Sequence, residues 1–278
     1  MIDSHVHFWN FDRVRDSWIT PEMAAIRHDF TPEDFVNATS TTPVSGCIAV
    51  QADQTEEQNQ FLLSLAENNS VIKGIVGWVD FLDPNLEERL IYWKNFPLIK
   101  GWRHVLQAEN DAFILNPSFV NGLQQLKNFN YTYDLLCFHH QLTSIIKLVD
   151  QLQNQPFVLD HCGKPDVKRQ DLKTWESHIK ELAQNKNVFC KVSGLLAEAD
   201  WKNWKEIELF NCFDVIFKHF GTDRIIYGSD WPVMLISRPY EDWLSLVSKY
   251  VSKFDKIKQE YFFSGNAHRF YNLTSLAK

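Results

Sequence analysis

The chain has 278 residues, of which 45% are hydrophobic and 23% charged, and its formal net charge is −7. That apolar content excludes a disordered chain. Basic residues scattered rather than clustered exclude nucleic acid or an anionic membrane surface as the main partner.

Read in chain order, β-rich apolar runs predict strands at about 2–7, 45–51, 73–79, 98–103, 131–138, 156–160, 188–193 and 224–228. Helix-start signals lie between them. Thr31-Pro32-Glu33-Asp34 sets a hydroxyl before a first-turn proline, and Thr55-Glu56-Glu57-Gln58 reads as a capping box. Asp83-Pro84 and Asn116-Pro117 each pair a cap with proline at the first helical position. Eight strands alternating with helices predict a parallel sheet closed into one (β/α)8 TIM barrel spanning residues 1–278. An open doubly wound sheet is the alternative, but the G-x-G-x-x-G turn common after its first strand is missing. Residues 9–30 form a long first loop, read either as a lid or substrate wall over the barrel mouth or as a solvated connection with a short helix of its own.

The five cysteines are far apart, odd in number and without a C-x-x-C pair, and Cys47, Cys137 and Cys190 sit in apolar runs as small reduced hydrophobes. No leader-like segment precedes Asp3 and no apolar stretch approaches membrane-spanning length. These features point to the reducing cytoplasm and exclude a membrane partner. Oligomeric state leaves no mark in the sequence.

In such a barrel chemistry sits at the C-terminal ends of strands. His5 and His7 end the first strand, two residues apart and therefore on one face, where two imidazoles can chelate a divalent ion. Later strand ends supply Gln51 and Asp53, Trp78 and Asp80, Arg103 and His104, His139-His140-Gln141, Asp160-His161 with Lys164, Lys191 with Ser193, and Asp230-Trp231. Asp80 and Asp160 read slightly better as caps of the following segment than as catalytic groups. Lys164 reads equally as a solvated loop lysine or a substrate contact. Of the adjacent His139 and His140, at most one faces the interior. Arg103 and His104 alternate, though a twisting strand end can present both. Asp230 closes an apolar strand between Gly-Ser and Trp-Pro, a setting that favours a functional carboxylate over a cap.

Several stretches taken together resemble a known family. They are Asp3-Ser4-His5-Val6-His7-Phe8-Trp9, Gly101-Trp102-Arg103-His104-Val105-Leu106-Gln107, and Phe157-Val158-Leu159-Asp160-His161-Cys162-Gly163-Lys164-Pro165. Lys191-Val192-Ser193-Gly194-Leu195, Phe220-Gly221-Thr222-Asp223-Arg224, Tyr227-Gly228-Ser229-Asp230-Trp231-Pro232-Val233 and Gly265-Asn266-Ala267 follow in order. The chain resembles the amidohydrolase superfamily, and within it the sugar lactonases of the L-fuconolactonase and L-rhamnono-lactonase group. The resemblance implies a (β/α)8 barrel that opens a sugar-derived lactone at a site built from His5, His7, His161 and Asp230. It implies at most one divalent metal on those four residues, zinc foremost, because strand four offers no bridging lysine or glutamate. Some relatives hydrolyse lactones without metal, so a metal-free route stays open.

On this reading Asp230 is the general base, with His161, Arg103 and His104 sharing the catalytic work. Gln51 and Lys164 bind substrate, and Trp9, Trp78 and Trp231 either stack on the sugar ring or fill the core. A metal-dependent decarboxylase of the same superfamily is the runner-up. A non-catalytic barrel is disfavoured because His5, His7, His161 and Asp230 are all present.

Overall fold

The computed structural model describes residues 1–273. Eight parallel strands lie in chain order: β1 (Ile2–Val6), β2 (Gly46–Val50), β3 (Ile72–Gly77), β4 (Ile99–His104), β5 (Thr132–Leu135), β6 (Phe157–Leu159), β7 (Val188–Val192) and β8 (Ile225–Tyr227). Each falls within a few residues of its predicted position. The fifth differs most, because the ladder ends at Leu135 and residues 136–138 run on without pairing. Closure comes from the chain just beyond β8, where a parallel bridge joins Val6 to Trp231. His7 N donates to Trp231 O at 2.7 Å, and Asp230 N donates to His5 O at 2.9 Å. The hydrogen bonds that close the barrel therefore also fix Asp230 beside His5.

The helical starts follow the cap chemistry with two corrections. Thr31 forms a reciprocal capping box with Asp34, and Asn116 caps the helix that opens on Pro117. Thr55 accepts from Gln58 N, but Gln58 returns no bond, so the motif is a single cap. At Asp83-Pro84 the helix waits until Leu86, since the Asp83 carboxylate accepts from Asn85 N and makes a local turn instead.

All eight strands are buried on both faces, as a sheet wrapped by helices requires. All five cysteines are buried and unpaired. Residues 9–30 pin themselves down by an antiparallel bridge between Trp9 and Phe30 and by burying Ile19, Ile26 and Phe30. They carry a short 3-10 helix, Pro21–Ile26, and also lean one tryptophan over the barrel mouth. Among the described residues no helix is long and apolar enough to cross a membrane.

Candidate active site

The site is built upward from β1. Alternation sends His5 and His7 to the same side, and their Nε2 atoms stand 3.1 Å apart. His7 Nδ1 lies 2.9 Å from Val50 O, so it carries the proton and leaves Nε2 with its lone pair. Beneath them, buried Asp3 accepts from His5 N at 3.1 Å, Ser229 N at 2.9 Å and the Tyr240 hydroxyl at 2.9 Å. Burial pushes the Asp3 carboxyl up to about 6 despite these donors, which stitch β1 to the turn that carries Asp230.

At the end of β6 the chain turns through four consecutive left-handed residues, His161 (φ 53°), Cys162 (φ 56°), Gly163 (φ 69°) and Lys164 (φ 47°). Three of them are not glycine, an arrangement that persists only where tertiary bonds over-determine it. Trp175 Nε1 donates to Cys162 O at 2.8 Å, and Lys164 N donates back to His161 O at 2.8 Å. The turn swings His161 inward, with Nδ1 2.9 Å from Ser193 Oγ. Gly194 (φ 66°) then passes so close that an added Cβ would collide with the His161 ring. Gly194→Ala is expected to displace that imidazole and lower kcat about a hundredfold, the scale of a 1 Å misplacement. Steady-state kinetics beside a thermal melt check this, since a purely structural cost would move the melt alone.

Asp230 (φ 65°) completes the cluster. Its Oδ1 lies 3.4 Å from His7 Nε2, 3.7 Å from His5 Nε2 and 3.9 Å from His161 Nε2. Burial alone would raise this carboxyl, but His161, His7 and His5 around it hold it well below the usual carboxylate range. Burial pulls the His161 imidazole down to about 4 and His5 well below its ordinary value. At neutral pH an ionised Asp230 therefore faces neutral His161 and His5 imidazoles.

That is the donor set of a divalent metal. Ligand atoms of His5, His161 and Asp230 all lie within 4.8 Å of one another, and His7 Nε2 stands beside two of them, 3.1 Å from His5 Nε2 and 3.4 Å from Asp230 Oδ1. Ligands of a tetrahedral zinc at ~2.0–2.1 Å would stand roughly 3.3 Å apart, so the cluster needs only small adjustments to fit. Each imidazole also has a polar partner at Nδ1 on the side away from Asp230, the arrangement that orients histidine ligands. The residues fit one such ion.

Behind His5 lies a fully buried charge network. Lys191 Nζ contacts Asp134 Oδ2 at 2.5 Å, Asp160 Oδ1 at 3.1 Å and His5 Nδ1 at 3.2 Å. The Tyr271 hydroxyl donates to the Asp134 carboxylate at 2.9 Å. Arg103 Nη1 reaches Asp160 Oδ2 at 3.3 Å, and its Nη2 donates to Gln51 O at 2.6 Å. Burial opposes ionisation of Asp160, yet Lys191 and His5 hold its carboxyl well below the usual range. Burial pushes Asp134 up to about 6 against the pull of Lys191. Asp160 is thus an ion-pair partner inside the barrel, not the cap that its position suggests. Asp80 does act locally, accepting from Leu82 N at 2.9 Å.

Above the cluster opens a cavity of about 350 Å³, lined in part by His7, Gln51, Arg103, His161, Lys164 and Asp230. Lys164 pairs with Glu198 at 3.1 Å on its rim. Other predicted residues stand elsewhere. His104 turns away from Arg103, receives Trp78 Nε1 at 3.3 Å, pairs with Glu109 at 3.1 Å and stacks on Phe113, so the strand end presents only Arg103. Trp9 is buried with its Nε1 on His28 O, and Trp231 is buried among Phe8, Phe30 and Phe35. Neither they nor Trp78 line the cavity. His139 holds Lys164 O at 2.8 Å, and His140 is exposed. Besides small and aliphatic side chains, one aromatic and one polar lining residue carried no such expectation. Trp18, 46% exposed, is the tryptophan at the mouth, and Gln107 lies on the wall with its Oε1 buried and lacking a protein partner.

A family model described as Amidohydrolase matches residues 2–273. The chain is 35% identical to a protein of Burkholderia multivorans named L-fucono-1,5-lactonase, over 98% of this chain and 96% of that one. It is 24% identical to the L-rhamnono-gamma-lactonase of Scheffersomyces stipitis over 51% of this chain and 48% of that protein. A crystal structure of an amidohydrolase from Burkholderia multivorans with bound zinc superposes with a TM-score of 0.95 at 34% identity, covering 98% of this chain and 99% of that one. The chain belongs to the amidohydrolase family: the match runs the length of the barrel, and His5 on β1, a histidine after β6 and a carboxylate after β8 converge at its mouth.

Proposed function

We propose that this chain opens a sugar-derived lactone to the corresponding hydroxy acid, with one divalent ion, zinc, held by His5, His7, His161 and Asp230. The observation that carries this reading is the ionised Asp230 carboxylate set among three imidazoles on the wall of a sugar-sized cavity. End-to-end similarity to a named sugar lactonase supports the substrate class.

When bound, the ion would polarise the lactone carbonyl and lower the pKa of a water molecule. The chain's own groups do the rest. Asp230 accepts the proton as the water oxygen attacks the carbonyl carbon. Arg103, a cation on the cavity lining, stabilises the developing oxyanion. As the ring C–O bond breaks, protonated Asp230 returns its proton to the leaving alkoxide. A carboxyl held well below the usual range is a modest base but a ready acid in that second step.

The cavity-lining Gln107 and Lys164 carry polar side chains suited to sugar hydroxyls. Trp18 offers an exposed indole face for the apolar side of the ring. Trp18→Ala is expected to raise KM about tenfold, equivalent to ~1.4 kcal/mol of lost stacking, with kcat within about twofold. A kcat loss with unchanged KM would contradict that role.

Product analysis tests the reaction. Incubation with aldonolactones should yield the hydroxy acids by NMR, and the decarboxylase alternative requires carbon dioxide from an unsaturated acid instead.

A further inference from the structure

Among the described residues, three charged side chains line the cavity: Arg103, Lys164 and Asp230. Arg103 is engaged inside the barrel, with Asp160 Oδ2 3.3 Å from its Nη1 and Gln51 O accepting from its Nη2. In that buried network two cations, Arg103 and Lys191, stand against two carboxylates, Asp160 and Asp134. Asp230 is an anion. Lys164 is therefore the lining cation that lies outside the buried network, the group that would meet a carboxylate carried by a substrate.

Glu198 already occupies it. This carboxylate ends the short helix Leu195–Glu198 that follows β7, and its Oε1 lies 3.1 Å from Lys164 Nζ. The two side chains are only 15% and 21% exposed, so solvent screens the pair less than it would an open surface bridge. Lys164 is also fixed where Glu198 reaches it. Its backbone belongs to the left-handed turn, tied by its N–H to His161 O and by His139 Nδ1 to its carbonyl. Its Nζ lies 5.2 Å from the centre of the Phe138 ring. A substrate carboxylate at the rim would set two carboxylates against one ammonium, a built-in penalty against charged substrates. Sugar hydroxyls meet no such penalty, because an ammonium has three N–H donors and Glu198 does not use them all.

We infer that Glu198 sets the charge selectivity of the site: by pairing Lys164 it favours uncharged aldonolactones over aldarolactones, which carry a carboxylate. Glu198 acts through Lys164 and is a positioning residue. This inference rests on the lactonase reading above and narrows its substrate class.

The test compares two competing ligands against hydrolysis of L-fucono-1,5-lactone by the full-length protein with zinc chloride present. D-glucono-1,4-lactone and D-glucaro-1,4-lactone share ring and stereochemistry, and differ only in a terminal hydroxymethyl group replaced by a carboxylate. Competitive inhibition constants report their binding whether or not either ring is opened. The wild type should hold the glucono form at least about tenfold more tightly. Glu198→Gln should shift the ratio of the two constants about tenfold towards the glucaro form, the effect of ~1.4 kcal/mol. Adding Lys164→Met should cancel that shift. Any attraction of the carboxylate to the ion is common to all three proteins and cancels in the comparison. A merely structural disturbance would weaken both ligands together and leave the ratio alone. Equal or tighter binding of the glucaro form by the wild type, or an unchanged ratio in Glu198→Gln, overturns the charge selectivity but spares the lactonase reading. Absence of L-fucono-1,5-lactone hydrolysis by the wild type overturns both. Should Glu198→Gln not fold, the wild-type ratio alone decides.

Discussion

Replacing Asp230 with asparagine is expected to lower kcat for lactone opening by about 10²- to 10⁴-fold, the range that a positioned general base supplies. The amide has nearly the same shape but cannot accept the proton of the attacking water or return it to the alkoxide. The effect should fall on kcat more than KM, because Asp230 acts on the reacting atoms and not on the sugar hydroxyls. The fold should survive. The backbone bond from residue 230 to His5 O does not depend on the side chain, nor does the Val6–Trp231 bridge. A variant that melts like the wild type and retains near-normal turnover would remove Asp230 from the chemistry.

The second large effect is on stability. Lys191→Met leaves Asp134 and Asp160 buried without the ammonium that sits 2.5 Å and 3.1 Å from them. Breaking a buried pair in this way costs about 3–5 kcal/mol, far more than the net worth of the intact pair. For a chain of this size, at ~2–4 °C per kcal/mol, the melting midpoint should fall by roughly 10 °C. Much of that loss should return in Lys191→Met with Asp134→Asn, because the second change removes one stranded carboxylate. A double-mutant cycle on melting midpoints measures the coupling. Purely additive losses would mean that Asp134 and Lys191 do not share a charge balance.

The barrel was legible because parallel strands buried on both faces leave continuous apolar runs, and β1 to β8 each match one. His5 and His7 were legible through the two-residue period of a strand. Asp230 stood out as a carboxylate where the last run stops. Partners that depend on tertiary assembly left no local pattern. Lys191 and Asp134 meet across 57 positions, and Asp134 meets Tyr271 across 137. A signal did exist, since Asp134 and Lys191 are lone charges inside otherwise apolar strands, and a charge there must find a partner. Asp160 was drawn towards capping by its place at a strand end, and only its distances to Lys191, Arg103 and His5 show otherwise. The tryptophans divided on burial. Trp9 and Trp231 complete the core under the first loop, whereas Trp18, at the exposed crest of that loop, reaches the cavity.

The most direct measurement is the steady-state rate of acid release from L-fucono-1,5-lactone by the purified chain, with zinc added and then chelated, against spontaneous ring opening. Lactone hydrolysis at this site requires kcat/KM of at least about 10⁴ M⁻¹s⁻¹, ordinary for an enzyme on its own substrate class, with the rate lost in Asp230→Asn. No rate above spontaneous opening on this or related aldonolactones, with or without zinc, would contradict it.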